Sequence, residues 1–318
     1  MFEKKNKGCE NSAVCHGYST VHVRMSAAPS AVRYFSAVVP IRERPGWPIR
    51  MVSPILYHYF SRPLPYLRAL QLQEAIHTLQ LQQRSTSPSS SHQDILLLLQ
   101  HKPVYTAGRR QTASDTAPER ARLTALGADF VLAQRGGQLT YHGPGQLVGY
   151  PLLDLGDSHG DGDGRVALST REYICRLQRI LSLHLREAHG LAPAPPSEET
   201  MGVFLGAREK VASIGVQVRH RLTAHGFAMN VTREPLAWFE QIVACGLADV
   251  KAVSVEGATG RKVEVAGEVA GVVERFGRVM ERQMVPLDLD VGSGELAELV
   301  YTLEQESIGD GRTTTSSS

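Results

Sequence analysis

The chain has 318 residues, a formal net charge of +2, 42% hydrophobic residues and 21% charged residues. This length allows one large domain with extensions, or two domains, and the composition is that of a globular protein with a real core. The near-neutral charge argues against a nucleic-acid-binding protein. The longest uncharged apolar run, Ile95–Leu99, is too short for a membrane span. Four cysteines without zinc-site spacing indicate a reducing compartment and predict neither a disulfide scaffold nor a metal site.

The N-terminal segment differs from the rest in charge. Residues 1–50 hold three Lys, five Arg and three Glu, a charge of +5, so the remainder carries −3. Between Met25 and Met51 the chain is rich in Arg, Ser and Ala, with Glu43 as the one acid, and it lacks the apolar core of a secretory signal. We therefore predict that residues 1–50 are a mitochondrial transit peptide leading to the matrix. A disordered basic tail, or a start codon at Met25 or Met51, is the alternative.

Two interior stretches and the C-terminus are predicted to lie outside the packed core. Residues 84–93 are rich in Ser, and residues 156–164 are rich in Gly and Asp. Neither stretch has enough apolar surface to offset the entropy lost on ordering. The second lacks the closing Glu of a calcium-binding loop. We expect a folded domain over residues 51–308, with these stretches as surface insertions and residues 309–318 as a tail.

The first predicted elements are a helix and a strand. Ala69, Leu72, Ile76 and Leu79 recur at helical spacing after Pro65, a residue that favours a helix start. The run from Ile95 to Gln100 predicts a buried strand.

The most unusual segment is Arg135–Pro151, whose sequence is RGGQLTYHGPGQLVGYP. Its glycines allow backbone N–H groups to approach a ligand closely, Arg135 supplies a cation, and the residues before the second glycine group add polar side chains. No Gly-Lys-Ser/Thr follows, so the segment is not a P-loop, and no helix opens after the glycines as in a dinucleotide-binding fingerprint. It predicts a ligand-binding strand–loop–strand. A purely structural glycine-rich hairpin is the alternative.

The second half of the chain alternates between helices and strands. Ser169 and Glu172 predict a capping box, followed by an apolar helical stripe and a C-terminal Gly190; the stripe consists of Ile174, Leu177, Leu181, Leu185 and Ala188. Alternation at Ile214, Val216 and Val218 predicts a strand, with Ala224–Val231 as its hairpin partner. Pro235 starts a short helix-like run, Leu236–Val243. A last helix is predicted from Val265, Val269, Val272, Phe276 and Val279. Together these elements favour a mixed α+β domain.

Five segments, in order along the chain, resemble the lipoyl(octanoyl) transferases of lipoate biosynthesis. The central match is Arg135–Pro151. The others are Val104–Arg110 (VYTAGRR), Gly202–Val216 (with GVFL and KVASIGV), His225–Asn230 (HGFAMN) and Ala244–Leu247 (ACGL). The resemblance covers roughly residues 55–280. It implies the α+β fold of biotin and lipoate protein ligases, a mixed central sheet with flanking helices and a small second sheet.

The resemblance also implies a reaction and its partners. Octanoyl-acyl carrier protein would donate the acyl group, and the acceptor would be a lysine of an apo lipoyl domain, such as glycine cleavage H protein or a 2-oxoacid dehydrogenase E2. Cys245 would be the nucleophile and Lys210 its partner, with no ATP, metal or other cofactor. The acyl site would be lined by Arg135, Gly136, Gly137, Gln138, Leu139, Thr140, Tyr141, His142, Ser213, Ile214, Gly215, Gly226, Phe227 and Ala228.

The cysteines and basic residues also have simpler interpretations. Without the motif, Cys245 would be interpreted as a buried inert thiol and Lys210 as a solvated charge. If the run after Pro235 is a helix that ends near Cys245, its dipole raises the thiol pKa, so a cation is needed. Cys175 lies beside an apolar helix stripe and is predicted to be a packing residue. Arg109 and Arg110 are either a phosphopantetheine contact or the start of a surface helix.

Two other functions remain open at this stage. A lipoate or biotin protein ligase of the same fold would activate the acid as an adenylate and would need no cysteine. A non-catalytic binder of lipoyl domains or carrier protein would need neither a nucleophilic cysteine nor adenylate formation.

Overall fold

The computed structural model describes residues 53–86, 93–156, 167–195, 201–242, 250–290 and 294–309. The strands in these ranges are β1 (Ile55–Tyr59), β2 (Asp94–Leu99), β3 (Val104–Ala107), β4 (Asp129–Leu132), β5 (Thr140–His142), β6 (Gln146–Leu152), β7 (Val203–Phe204), β8 (Glu209–Arg219), β9 (Leu222–Asn230), β10 (Lys251–Ala252) and β11 (Met284–Pro286). The helices are α1 (Tyr66–Thr86), α2 (Ala113–Ala125), α3 (Thr170–His189), α4 (Glu234–Phe239), α5 (Val255–Thr259), α6 (Val265–Met280) and α7 (Glu295–Gly309).

The strands form two sheets, which confirms the predicted α+β class with a small second sheet. The larger sheet has the order β10-β8-β9-β6-β2-β1-β11, with β7 also paired to β8, and the smaller has the order β4-β3-β5. The larger sheet is mixed: β6, β8 and β9 pair in antiparallel fashion, whereas β1 is parallel to both β2 and β11. Among the described residues, no helix is both long and apolar enough to cross a membrane.

Helices cover both faces of the larger sheet. On one face, α3 and α6 pack against the sheet through residues such as Leu177, Leu181 and Phe276. On the other face lie α1 and α7, with Ile76 and Val300 fully buried. The predicted helices around Ala69–Leu79 and Val265–Val279, the strand at Ile95 and the hairpin Ile214–Val231 are thus confirmed.

Several local predictions need correction. The helix predicted as the last is followed by α7, whose buried Leu296, Val300 and Leu303 cover the second sheet face. In the expected capping box, Ser169 accepts from the Glu172 backbone N–H, but the Glu172 carboxylate contacts Arg176.

The predicted ends of two segments also differ from those observed. Ala188 is exposed because the buried stripe of α3 has turned away from it by the last helical turn. Residues Arg84–Thr86 of the first predicted insertion continue α1. Most of both insertions, the N-terminal segment and the tail after Gly309 lie outside the described residues.

The glycine-rich segment Arg135–Pro151 connects the two sheets. Its first strand, β5, pairs with β3 in the smaller sheet, and its second, β6, pairs with β2 and β9 in the larger one. The segment is therefore a crossing between sheets, which corrects the alternative of a simple hairpin. Residues from both sheets meet along this crossing.

Candidate active site

A cavity of about 470 Å³ opens where the two sheets meet. It is bounded by the loop before β5, by β5 and β6, and by the hairpin β8–β9. The predicted site residues that line it are Arg135, Gly136, Gly137, Gln138, Thr140, His142, Lys210, Ser213, Ile214, Gly215, Gly226, Phe227 and Ala228. Segments far apart in sequence are thus brought to one place.

Leu139 and Tyr141 were also predicted to line the acyl site, but they do not line this cavity. Both pack instead in the core of the smaller sheet with Tyr105 and Phe239. Successive strand residues point to opposite faces, so within β5 Thr140 and His142 face the cavity and Tyr141 faces away from it.

Further residues line the cavity that were not among the predicted acyl-site residues: Tyr66, Arg110, Val148, Tyr150, Met201 and His225. Val148 and Tyr150 share one face of β6, so the period-two pattern of that strand could have identified both. Tyr66 comes from α1, distant in sequence, and its ring stacks on His142 with centroids 6.4 Å apart. No local pattern carries that contact.

Arg110 lies in an exposed turn before α2, which begins at Ala113 after the N-cap Thr112. Arg109 and Arg110 therefore precede the helix, which corrects the alternative of a surface helix start. Arg110 lines the cavity, whereas Arg109 lies outside its lining.

Arg135 holds the shape of the glycine loop. Its guanidinium is buried and donates to Thr106 Oγ1 at 2.7 Å and to the carbonyl oxygens of Gly136 and Gln138, both at 2.9 Å. Charge-assisted bonds of this kind are stronger than neutral ones. Arg135, which was predicted to bind a ligand, therefore also binds the backbone that forms the cavity wall.

Glycine at position 108 allows two of the family-like motifs to touch. A Cβ on Gly108 would lie 2.3 Å from the carbonyl oxygen of Gly137, a separation that real side chains essentially never show. Gly137 itself has a φ of 91°, in the region that favours glycine. The Gly136 N–H donates to the Val216 carbonyl oxygen at 3.3 Å, which fixes the loop to β8.

Lys210 is held at the cavity wall with little access to water. It is 8% exposed, and its Nζ lies 5.7 Å from the centroid of the Phe204 ring. This is a cation–π distance. On the other side, a Cβ at Gly202 would lie 2.6 Å from Lys210 Cε. The interpretation of Lys210 as a solvated charge is therefore wrong.

The residues on either side of Cys245 in sequence are held in place, upstream by the smaller-sheet core and downstream by the cavity residue Lys210. Upstream, the Trp238 ring of α4 stacks on Tyr141 with centroids 5.1 Å apart, and its carbonyl oxygen accepts from the Tyr105 hydroxyl at 2.8 Å. Tyr141 is thus a positioning residue for α4. That helix ends at Phe239, and the structure near Cys245 lies outside the described residues.

Downstream, the chain returns to Lys210. Ala252 of β10 pairs with Lys210, and the Val253 N–H donates to the Lys210 carbonyl oxygen at 3.0 Å. Asn230 Nδ2 donates to the Val253 carbonyl oxygen at 2.9 Å, and Gln146 Nε2 donates to Asn230 Oδ1 at 2.9 Å. Cys245 itself lies outside the described residues, whereas Cys175 is half-buried on α3, outside the cavity lining.

Comparison with known proteins identifies the family. Residues 65–277 match the lipoyl protein ligase A/B catalytic domain. Over 214 residues the chain is 36% identical to an octanoyltransferase of Caldicellulosiruptor saccharolyticus, covering 67% of this chain and 84% of that protein. This chain belongs to the octanoyltransferase family. A mitochondrial octanoyl-[acyl-carrier-protein]:protein N-octanoyltransferase of Danio rerio is also 36% identical, over 67% of this chain and 87% of its own length.

Solved structures agree on the fold. Lipoate-protein ligase A bound with ATP has a TM-score of 0.55, with 15% identity over 80% of this chain and 92% of that one. The bipartite lipoate protein ligase of Thermoplasma acidophilum has a TM-score of 0.51, with 14% identity over 81% of this chain and 92% of that one. The fold and the family that the sequence motifs predicted are both confirmed. The chain is an acyltransferase.

Three histidines in and near the octanoyltransferase cavity are uncharged at neutral pH. Burial lowers the pKa of His101 to about 4 and that of His225 to about 3. Burial, helped by His101 and Arg135, also holds the pKa of His142 well below its usual range. His101 Nδ1 donates to the Leu64 carbonyl oxygen at 3.1 Å, so its Nε2 accepts from the Tyr150 hydroxyl at 2.6 Å. The charges lining the cavity thus come from arginine and lysine.

These histidines should make the protein less stable in mild acid. In the unfolded chain each imidazole has a pKa near 6.5, so below that pH the unfolded state binds more protons and stability falls. As pH falls, each histidine lowers the free energy of unfolding by up to about 1.4 kcal/mol per pH unit. For His101 this decrease ends near the pKa of the folded state, about 4. We expect the urea midpoint to drop between about pH 7.5 and about pH 5.5, a range above most carboxyl titrations. The exposed-site variant His220→Gln should keep this slope, and a midpoint that stays constant or rises would contradict the assignment.

Proposed function

We propose that the chain transfers an octanoyl group from octanoyl-acyl carrier protein to a lysine of an apo lipoyl domain through a thioester on Cys245. The main support for this proposal is the position of Lys210. This residue is buried at the cavity wall and pairs with β10, the strand that follows the Cys245 segment. A lysine ammonium in such a position stabilises a nearby thiolate and exchanges protons with it.

The reaction consists of two acyl transfers. The Cys245 thiolate attacks the carrier thioester, its C–S bond breaks, and the released carrier thiolate takes a proton. The acceptor lysine amine then attacks the octanoyl-Cys245 carbonyl, forms the amide, gives up a proton and releases the cysteine thiolate. Exchange between thioesters is nearly isoenergetic and amide formation is downhill, so no ATP is needed. Splitting the reaction lets one nucleophile serve two partners.

The cavity is suited to an acyl chain near a charged centre. Its volume of about 470 Å³ falls among small-molecule pockets, which span roughly 300–1,000 Å³. Ile214 and Phe227, partners across the β8–β9 hairpin, form an apolar wall together with Val148 and Ala228. Backbone N–H groups of the glycine segments are candidate oxyanion donors. The Gly136 N–H is not among them, because it donates to Val216.

A transfer assay separates this function from the two others. Purified protein with octanoyl-acyl carrier protein and an apo lipoyl domain should give octanoylated domain without ATP. Glycine cleavage H protein and a 2-oxoacid dehydrogenase E2 domain are the acceptors to compare. Product formed only from free octanoate with ATP would indicate a ligase, and binding without product would indicate a non-catalytic binder; either result overturns the proposal.

The proposed location is the mitochondrial matrix. Residues 1–50 carry +5, and the octanoyltransferases of Danio rerio and Arabidopsis thaliana that this chain resembles are named mitochondrial. The full chain fused to a fluorescent protein should enter mitochondria, and the same fusion without residues 1–50 should stay in the cytosol. Diffuse fluorescence of the full-length fusion would contradict this location.

A further inference from the structure

A buried cluster of one glutamate and two histidines lies outside the cavity lining, where α3 meets α6. His184 Nε2 and His189 Nε2 each lie 2.6 Å from the same atom, Glu268 Oε2. The side chains are 2%, 8% and 7% exposed for His184, His189 and Glu268. The three ligand atoms all lie within 4.8 Å of one another.

The two ring nitrogens share one carboxylate oxygen, so the three donor atoms lie together in a buried place between α3 and α6. Two imidazole nitrogens and one carboxylate oxygen are ligand types that zinc accepts in proteins. We propose that His184, His189 and Glu268 bind a divalent zinc ion that links the end of α3 to the start of α6.

The geometry needs only a small adjustment to hold the ion. Tetrahedral zinc with bonds of about 2.0–2.1 Å places its ligand atoms about 3.3 Å apart. The two N–O separations would therefore lengthen by roughly 0.7 Å, a change that side-chain rotation supplies. Three protein ligands leave the fourth position to water.

The surrounding charges are compatible with a bound cation. His189 is the last residue of α3, and a helix C-terminus is the negative end of its dipole. Of the nearby cations, Arg261 donates to the His189 carbonyl oxygen at 3.4 Å, and Arg275 already pairs with Glu187 at 3.1 Å and with Glu274 at 3.0 Å. Bound zinc would join the two helices that cover one face of the larger sheet, so its role is structural and independent of acyl transfer.

Cobalt(II) tests the site because its visible absorption reports coordination. The full chain, purified without an affinity tag and stripped with a chelator, should bind Co²⁺ with tetrahedral d–d bands, and equimolar Zn²⁺ should abolish them. The thiolate-to-metal charge-transfer band that a cysteine site would give should be missing. Zn²⁺ should raise the melting temperature, whereas Mg²⁺ should not.

Two variants locate the ligands. Glu268→Gln and His189→Ala should each weaken Co²⁺ binding by at least about tenfold. The control is His58→Ala, which removes another His–Glu pair, with His58 Nε2 2.9 Å from Glu304, and it should bind Co²⁺ as the unmodified chain does. Failure of the unmodified chain to bind Co²⁺ or Zn²⁺, a charge-transfer band, or equal affinity in a folded Glu268→Gln variant would each overturn the proposal.

Discussion

Replacing Cys245 with serine should abolish octanoyl transfer, with a loss of at least about a thousandfold in turnover. A serine hydroxyl stays protonated at neutral pH and gains no comparable activation from a lysine ammonium, so no acyl-enzyme should form. The measurement is single-turnover transfer from octanoyl-acyl carrier protein to an apo lipoyl domain.

The matched control is the half-buried helix residue Cys175. Because this cysteine lies outside the cavity lining, Cys175→Ser should keep nearly full activity. Wild-type turnover by Cys245→Ser would mean that no covalent intermediate forms on that residue. Loss of activity in Cys175→Ser alone would move the nucleophile to α3.

Replacing Lys210 should give the second largest effect. Lys210→Ala removes a buried cation, and loss of such a charge can raise a neighbouring thiol pKa by one to a few units, each worth about 1.4 kcal/mol. Iodoacetamide should therefore alkylate Cys245 more slowly near pH 7. Acylation should slow by at least about tenfold, because proton transfer is lost as well.

A charge-conserving variant separates the two roles of Lys210. Lys210→Arg keeps a cation but exchanges no proton, because guanidinium remains protonated. It should recover alkylation more than turnover. The control is Lys251→Ala on the paired strand β10, where the side chain is exposed. An unchanged alkylation pH profile in Lys210→Ala would show that Lys210 does not tune this thiol and would move attention to His142.

Much of the architecture could be predicted because local patterns carry it. The period of Ala69, Leu72, Ile76 and Leu79 identified α1, and the glycine-rich motif identified the cavity wall. The same periodicity at Leu296, Val300 and Leu303 would have identified α7. In these elements the pattern of burial is already present in the residue spacing.

The site itself was less predictable, because its details depend on contacts between distant segments. The family motif is continuous through Arg135–His142, but Leu139 and Tyr141 pack in the smaller-sheet core, Tyr141 because successive residues of β5 point to opposite faces. Arg135 was expected to contact a ligand. Its hydrogen bonds to the loop carbonyl oxygens depend on how its side chain is placed against Thr106, a residue of another strand, so they could not be predicted from the local sequence. The stacking of Tyr141 on Trp238, which positions α4, joins residues nearly a hundred positions apart.

Trapping the acyl-enzyme is a direct test of whether Cys245 carries the octanoyl group. The protein is mixed with octanoyl-acyl carrier protein without an acceptor, and its intact mass and peptide map are then measured. We expect one octanoyl group on Cys245, which hydroxylamine removes and which is transferred when an apo lipoyl domain is added. An enzyme that turns over without this adduct, or that carries the octanoyl group on another residue, would contradict the proposed mechanism.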